Sequence, residues 1–191
     1  MLSKKIDRNI ESKCYTVPDC CRLFSSEMIL NLIVSLLKHK FPDVANITTG
    51  ELHEVLCTPD KEDTCLLVDT RQKSEVSVSA IKGARHLEFP ASESDVRTFV
   101  EEHVTPETEM VVCYCSLGYR SSVVAHSLDT YLREKEEQKT INVYNLEGSI
   151  FKWVNEGREV RSGGGESATY CHPFSYKWGL LGLNIARWRW S

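Results

Sequence analysis

At 191 residues, with 41% hydrophobic and 26% charged residues, the chain has the size and balance of one globular domain carrying an extension. Its 23 Lys and Arg against 27 Asp and Glu give a formal net charge of −4, which argues against nucleic acid or an anionic membrane as the main partner. Cysteines stand at 14, 20, 21, 57, 65, 113, 115 and 171, behind a charged start, Met1-Leu2-Ser3-Lys4-Lys5-Ile6-Asp7-Arg8, that leads into no apolar run. They are expected as reduced thiols in a reducing, cytoplasmic setting rather than as a disulfide framework. Their scatter lacks the paired spacing of a zinc site, so no metal is expected.

Residues 1–25, polar and containing Pro18 and Cys20-Cys21, read as an irregular N-terminal arm. A helix is predicted over 26–40, capped by Ser25 or Ser26, with Glu27 in its first turn. It is apolar on most of its circumference, from Met28 through Leu30, Ile33 and Leu36 to Leu37, and closes on Lys38-His39-Lys40 before Phe41-Pro42. That run falls short of the ~20 apolar residues a membrane span requires, so the helix is expected to pack on the domain or on a protein partner.

The stretch 46–160 alternates helical and strand signals. Thr48 or Thr49 caps a short helix ending near Leu56, and Thr58-Pro59-Asp60 reads as a turn. Cys65-Leu66-Leu67-Val68 is a fully apolar strand ending at Asp69; Met110 to Tyr114 and Ile141 to Tyr144 are two more. Helices are predicted after Ser92 or Ser94, over Ser122–Glu134, and around Ile150, Trp153 and Val154. Buried strands alternating with helices predict an α/β fold with a central parallel sheet flanked by helices, in three layers. Residues 161–191 form a Gly-rich loop, Arg161–Ser167, and an aromatic tail with a last short helix near 180–187. Arg187-Trp188-Arg189-Trp190 is expected to pack on the domain or dock a protein partner rather than lie on a membrane.

Chemistry concentrates in Val111-Val112-Cys113-Tyr114-Cys115-Ser116-Leu117-Gly118-Tyr119-Arg120-Ser121-Ser122. A buried strand delivers Cys115 at its C-terminal end, where open α/β sheets place their sites. A tight loop around the sulfur aims backbone N–H groups at it, the following helix adds its positive end, and Arg120 adds a full charge. Each effect stabilises a thiolate and lowers the thiol pKa from its usual value of about 8.5. Cys113 reads as core rather than as a resolving thiol, and His86 as a hydrogen-bonded structural histidine.

On these residues the chain resembles the rhodanese family of sulfurtransferases. Cys115 to Arg120 looks like that family's six-residue active-site loop. Leu66-Leu67-Val68-Asp69-Thr70-Arg71, then Glu75, Ile81, Gly83-Ala84 and Pro90, resembles its first strand and the return toward the second. Tyr144-Asn145-Leu146-Glu147-Gly148-Ser149-Ile150, with Trp153 and Gly157, resembles its closing strand and helix. The resemblance implies a rhodanese-like domain over 46–160 with Cys115 as the catalytic nucleophile. Ser116, Leu117, Gly118, Tyr119, Arg120 and Ser121 would form the anion-binding loop, and Asp69 with Arg71 a supporting ion pair. It further implies a small-molecule sulfur donor, such as thiosulfate or a persulfide, a thiol or cyanide acceptor, a Cys115 persulfide between them, and no cofactor. Departures stand at Ser79-Ala80 for the usual Gly-His, at Ser149 for the second glycine, and at Ser116 where some thiosulfate-using members carry a basic residue.

Two other functions remain open. One is a non-catalytic rhodanese-like regulatory or interaction module. The other is a Cys-dependent phosphatase or arsenate reductase, disfavoured because four residues rather than five separate Cys115 from Arg120.

Overall fold

The computed structural model describes residues 19–135, 141–182, 184 and 187–190. In chain order the elements begin with α1 (Asp19–Lys40), β1 (Ala45–Ile47), α2 (Thr49–Leu56), α3 (Pro59–Glu62), β2 (Cys65–Asp69), α4 (Lys73–Val78), β3 (Ser79–Ala80) and β4 (Arg85–His86). They continue with α5 (Glu93–His103), β5 (Met110–Tyr114), α6 (Tyr119–Lys135), β6 (Asn142–Leu146), α7 (Ser149–Asn155), β7 (Val160–Ser162), β8 (Ser167–Ala168) and α8 (Tyr176–Gly182). Five strands pair in parallel in the order β1-β6-β5-β2-β4, which places β5 at the centre. Parallel pairing requires crossovers, and the helices that make them cover both faces.

The strand β5 shows why its sequence is apolar without alternation. Val111 and Cys113 face a core containing Val96 and Phe99 of α5 and Val124 and Leu128 of α6. Val112 and Tyr114 face the opposite core, with Leu52 of α2 and Ile150, Phe151 and Val154 of α7. Both faces are closed to water, so no position tolerates a charge. Burying one such Val contributes about 1.5–3 kcal/mol.

Several helix starts follow the sequence directly. Thr48 caps α2 and Ser92 caps α5, each in a reciprocal capping box with Glu51 and Asp95 respectively. Elsewhere the structure differs from the sequence expectation. The first helix begins at Asp19, inside the segment read as an irregular arm, and runs through Ser25 and Ser26 instead of being capped there. The rest of that arm, 1–18, lies outside the described residues. The helix after the cysteine loop begins at Tyr119 rather than Ser122, which brings Arg120 and Ser121 into its first turn. Thr58-Pro59-Asp60 opens the four-residue helix α3 rather than a plain turn, with Pro59 at its start, where the missing N–H has no intrahelical partner to lose.

The Gly-rich segment also proves ordered. Strands β7 and β8 form an antiparallel ladder, and β7 pairs with β3 to make a second, three-stranded sheet. Gly163 lies at its turn so close to the chain that a Cβ there would stand 2.1 Å from the Ser77 carbonyl oxygen. The last helix, α8, lies earlier than expected and packs against α1. Trp188 joins Cys171 in a β-bridge and packs on the core, as expected for a docked tail. Among the described residues, no helix is long and apolar enough to cross a membrane.

Candidate active site

Cys115 leaves the C-terminal end of the central strand, and its loop is tied to the start of α7. The Ile150 N–H donates to the Cys115 carbonyl at 3.1 Å, and the Phe151 N–H to that of Ser116 at 3.3 Å. The Cys115 N–H donates to Ser149 Oγ at 3.2 Å. The loop then turns back on the sulfur, so that the Gly118 N–H donates to Cys115 Sγ at 3.1 Å. This turn needs a left-handed residue, and Gly118 has φ +117°. A Cβ there would also press on Leu37 Cδ1 of α1 at 3.0 Å. Four residues, Ser116 to Tyr119, separate the cysteine from Arg120.

Cys115 is only 2% exposed. Burial alone would push its pKa up, but the Arg120 charge, the Ser121 hydroxyl and N–H, and the Gly118 N–H outweigh it, so the thiol sits below its ordinary value. Cys113 has no such partners. Burial pushes its pKa well up, with repulsion from Cys115 adding to the effect, and it packs in the α5–α6 core as an inert thiol. Cys57, Cys65, Cys113, Cys115 and Cys171 are all free of disulfides.

Arg120 is engaged in a way the sequence did not reveal. Its Nη1 donates to Glu75 Oε2 at 2.6 Å and its Nη2 to Glu75 Oε1 at 2.9 Å, a bidentate pair, with a further bond to Ser116 Oγ at 2.9 Å. Ser116 Oγ in turn donates to Glu75 Oε1 at 2.9 Å. Glu75, on α4, is 1% exposed. Burial would raise its pKa, but Arg120, the Gln72 N–H and Ser116 hold it below the usual carboxylate value. The guanidinium therefore faces two groups, the buried Glu75 carboxylate and the Cys115 sulfur. Phe174 lies over it, 4.6 Å from ring centroid to Cζ.

Asp69 and Arg71 form a buried ion pair, with Nη2 2.6 Å from Oδ2. Tyr114 Oη donates to Asp69 Oδ2 at 2.7 Å and accepts from the Ile81 N–H at 3.1 Å. Arg71 Nη2 also donates to the Ser79 carbonyl at 2.6 Å. The pair is thus bonded to Tyr114, the residue immediately before Cys115. His86 Nε2 donates to the Arg71 carbonyl at 2.7 Å, a structural bond. Ser121 Oγ donates to Asn145 Oδ1 at 2.7 Å, fixing the first turn of α6 to β6.

Leu117 and Tyr119 line a cleft of about 440 Å³ that opens over Cys115 and Ser116. Its walls come from α1 and from the tail, which sequence reasoning left outside the domain. Glu75 and Ser149 support the loop through hydrogen bonds that their motif spacing alone does not announce. The signal available for Glu75 was its place three residues after Gln72, where it caps α4 from the N3 position.

The profile of the rhodanese-like domain matches residues 51–156. Among solved structures, a protein from Bacillus halodurans aligns over 80% of this chain and 94% of its own, with 16% identity and a TM-score of 0.52. A thiosulfate sulfurtransferase from Pseudomonas aeruginosa aligns over 71% of this chain and 23% of its own, with 18% identity and a TM-score of 0.49. An As-Sb reductase from Leishmania major aligns over 56% of this chain and 73% of its own, with 19% identity and a TM-score of 0.49. Likeness at these identities speaks of fold alone, while the profile covers more than half of the sequence, including the strand, the cysteine loop and the closing helix. On that match the chain belongs to the rhodanese-like domain family.

Proposed function

We propose that the chain is a sulfurtransferase that carries a sulfane sulfur on Cys115. The observation that carries this reading is the buried Cys115 thiol, acidified by Arg120 and held by the Gly118 N–H inside a loop with four residues before the arginine. The thiolate attacks the sulfane sulfur of the donor. A Cys115 Sγ–S bond forms as the donor's S–S bond breaks, and the electron pair leaves on the donor's remaining sulfur group. Cys115 is then a persulfide anion. An acceptor nucleophile, a thiolate or cyanide, attacks its outer sulfur and returns Cys115 as thiolate. No redox partner is required, because each step exchanges one S–S or S–C bond for another.

In this scheme Cys115 is the catalytic residue. The Gly118 and Ser121 N–H groups and the Arg120 guanidinium stabilise the thiolate and the persulfide anion. Asp69 and Arg71 act through Tyr114 as positioning residues, and Glu75 acts through Arg120 and Ser116. The thiolate chemistry suits a reducing, cytoplasmic setting.

The test is mass spectrometry of the purified protein after exposure to a sulfane-sulfur donor. A gain of one sulfur atom on the peptide containing Cys115, absent in Cys115→Ser, is expected, with the melting temperature of the variant retained. Failure to gain sulfur from any donor would leave the interaction-module reading in its place. Hydrolysis of aryl phosphates through Cys115 faster than sulfur transfer would replace it with the phosphatase reading.

A further inference from the structure

The cleft above Cys115 has walls of one chemical kind. Ile33, Leu36 and Leu37 of α1 form one side, and Phe174 and Trp178 of the tail form the other. Leu117 and Tyr119 lie at the base beside the cysteine. The walls are built with some effort. Phe174 has φ +63°, a left-handed backbone conformation that side chains other than glycine rarely adopt. The turn that holds it is fixed by the Phe174 N–H donating to His172 Nδ1 at 3.0 Å and the Ser175 N–H donating to the Pro173 carbonyl at 2.7 Å. On the other side, Lys38 pairs with Glu147, fixing the end of α1 to the turn before α7. Leu36, Phe174 and Trp178 stay substantially exposed, as expected of walls around an open mouth.

The charge balance points the same way. Arg120 is the single cation among the described residues lining the cleft. Its guanidinium is already paired with Glu75, and Phe174 covers one face of it. Position 116, next to the cysteine, carries a neutral hydroxyl already bonded to Glu75. A small dianion such as thiosulfate therefore meets apolar walls and an arginine already engaged with a buried carboxylate. A donor bearing its sulfane sulfur on an apolar body would instead bury that body against the walls while the sulfur reached Cys115.

We infer that the α1 and tail walls select the donor, and that the natural donor class is an organic sulfane-sulfur compound with an aromatic or branched aliphatic body: a hydropersulfide or a thiosulfonate rather than thiosulfate. The inference rests on the sulfurtransferase reading. With a thiosulfonate, Cys115 thiolate attacks the terminal sulfur, the new S–S bond forms, the old one breaks, and a sulfinate departs with the electron pair. With a hydropersulfide the terminal sulfur brings its proton to Cys115, the parent thiol departs as a thiolate with the electron pair, and passage of that proton to the departing thiolate leaves Cys115 as the persulfide anion.

The experiment compares kcat/KM for sulfur loading from benzenethiosulfonate, methanethiosulfonate and thiosulfate, read as the one-sulfur gain on the Cys115 peptide. Each ratio is set against the same ratio for a small free thiolate in solution, which removes the leaving group's own reactivity. The native protein should prefer the benzene over the methane donor by about tenfold or more, the scale of apolar discrimination in a hydrophobic pocket. Trp178→Ala and Leu36→Gln, one on each wall and both at exposed side chains, should each collapse that ratio several-fold toward the solution value. Loading from both thiosulfonates at the solution ratio, or a ratio unmoved in both variants, overturns the inference and leaves sulfur transfer standing. A Cys115 peptide that gains no sulfur from any of the three donors overturns the sulfurtransferase reading as well.

Discussion

Removing the guanidinium in Arg120→Ala separates the two groups it faces. The substitution deletes both bonds to Glu75, at 2.6 and 2.9 Å, and leaves a carboxylate that is 1% exposed. Stranding one member of a buried ion pair costs about 3–5 kcal/mol. Ser116 Oγ and the Gln72 N–H still donate to Glu75 in the variant, at 2.9 and 3.1 Å, so the lower end of that range is expected. A loss of about 3 kcal/mol moves a urea midpoint by roughly 1–3 M. The double variant Arg120→Ala/Glu75→Gln removes the stranded charge and should regain at least half of the loss. Thiol acidity should behave differently. In both variants Cys115 keeps its burial and loses the charge that most opposes it, so its pKa should rise above the native value in each. The assay pairs urea unfolding, followed by circular dichroism, with the pH dependence of Cys115 alkylation, followed on its own peptide. Stability in Arg120→Ala within about 1 kcal/mol of native, well short of the buried-pair cost, would refute the assignment of Arg120 as the counter-ion of Glu75. An unmoved alkylation pKa would refute its role at the sulfur.

The same carboxylate gives a pH signature. Glu75 titrates below its ordinary value in the folded protein, so its contribution to stability is complete above the unfolded carboxylate pKa of about 4.3 and is lost as pH falls through the lowered folded value. Glu75→Gln should flatten the fall in urea midpoint between pH 5 and pH 3, roughly the range below that pKa, and an identical fall in both proteins would count against the shift. Gly163→Ala should destabilise by about 1–3 kcal/mol, because its Cβ would stand 2.1 Å from the Ser77 carbonyl; an unchanged thermal melt would refute the close approach. Inserting a glycine between Leu117 and Gly118 moves the Gly118 N–H off the sulfur and should slow sulfur loading on the order of 100-fold, the scale for a displacement near 1 Å. Loading at the native rate in the inserted protein would show that the loop length is not what matters.

The sheet and the cysteine loop at its edge were legible because burial leaves a plain mark on sequence. Strands closed on both faces, such as Leu67–Val68 and Val111–Cys113, read as unbroken apolar runs. The caps Thr48 and Ser92 announce helix starts by short-range hydrogen bonding. What lay hidden depends on contacts between distant residues. The ion pair between Glu75 and Arg120 spans 45 positions, and nothing local to either residue names its partner. Strand β1 has three residues and β3 and β4 have two each, too short for a period to register. The first helix is apolar around most of its surface, so its sequence does not mark the face that carries Ile33 and Leu37 to the cysteine.

The departures from the family pattern become intelligible together. Ser116 and Ser149 stand where a basic residue and a glycine are found in the patterns this chain otherwise resembles. Ser149 keeps the left-handed backbone expected of the glycine, at φ +51°, and uses its hydroxyl to accept the Cys115 N–H. Ser116 donates a hydrogen bond to Glu75 and accepts one from Arg120, completing a three-membered network beside the cysteine. A lysine at 116 would compete with Arg120 for the same carboxylate and leave one cation without a buried partner. With serine there, Arg120 keeps its bidentate pair with Glu75 and its bond to Ser116 Oγ. The same substitution that removes a docking charge for a small dianion thus helps hold the arginine where it acidifies Cys115.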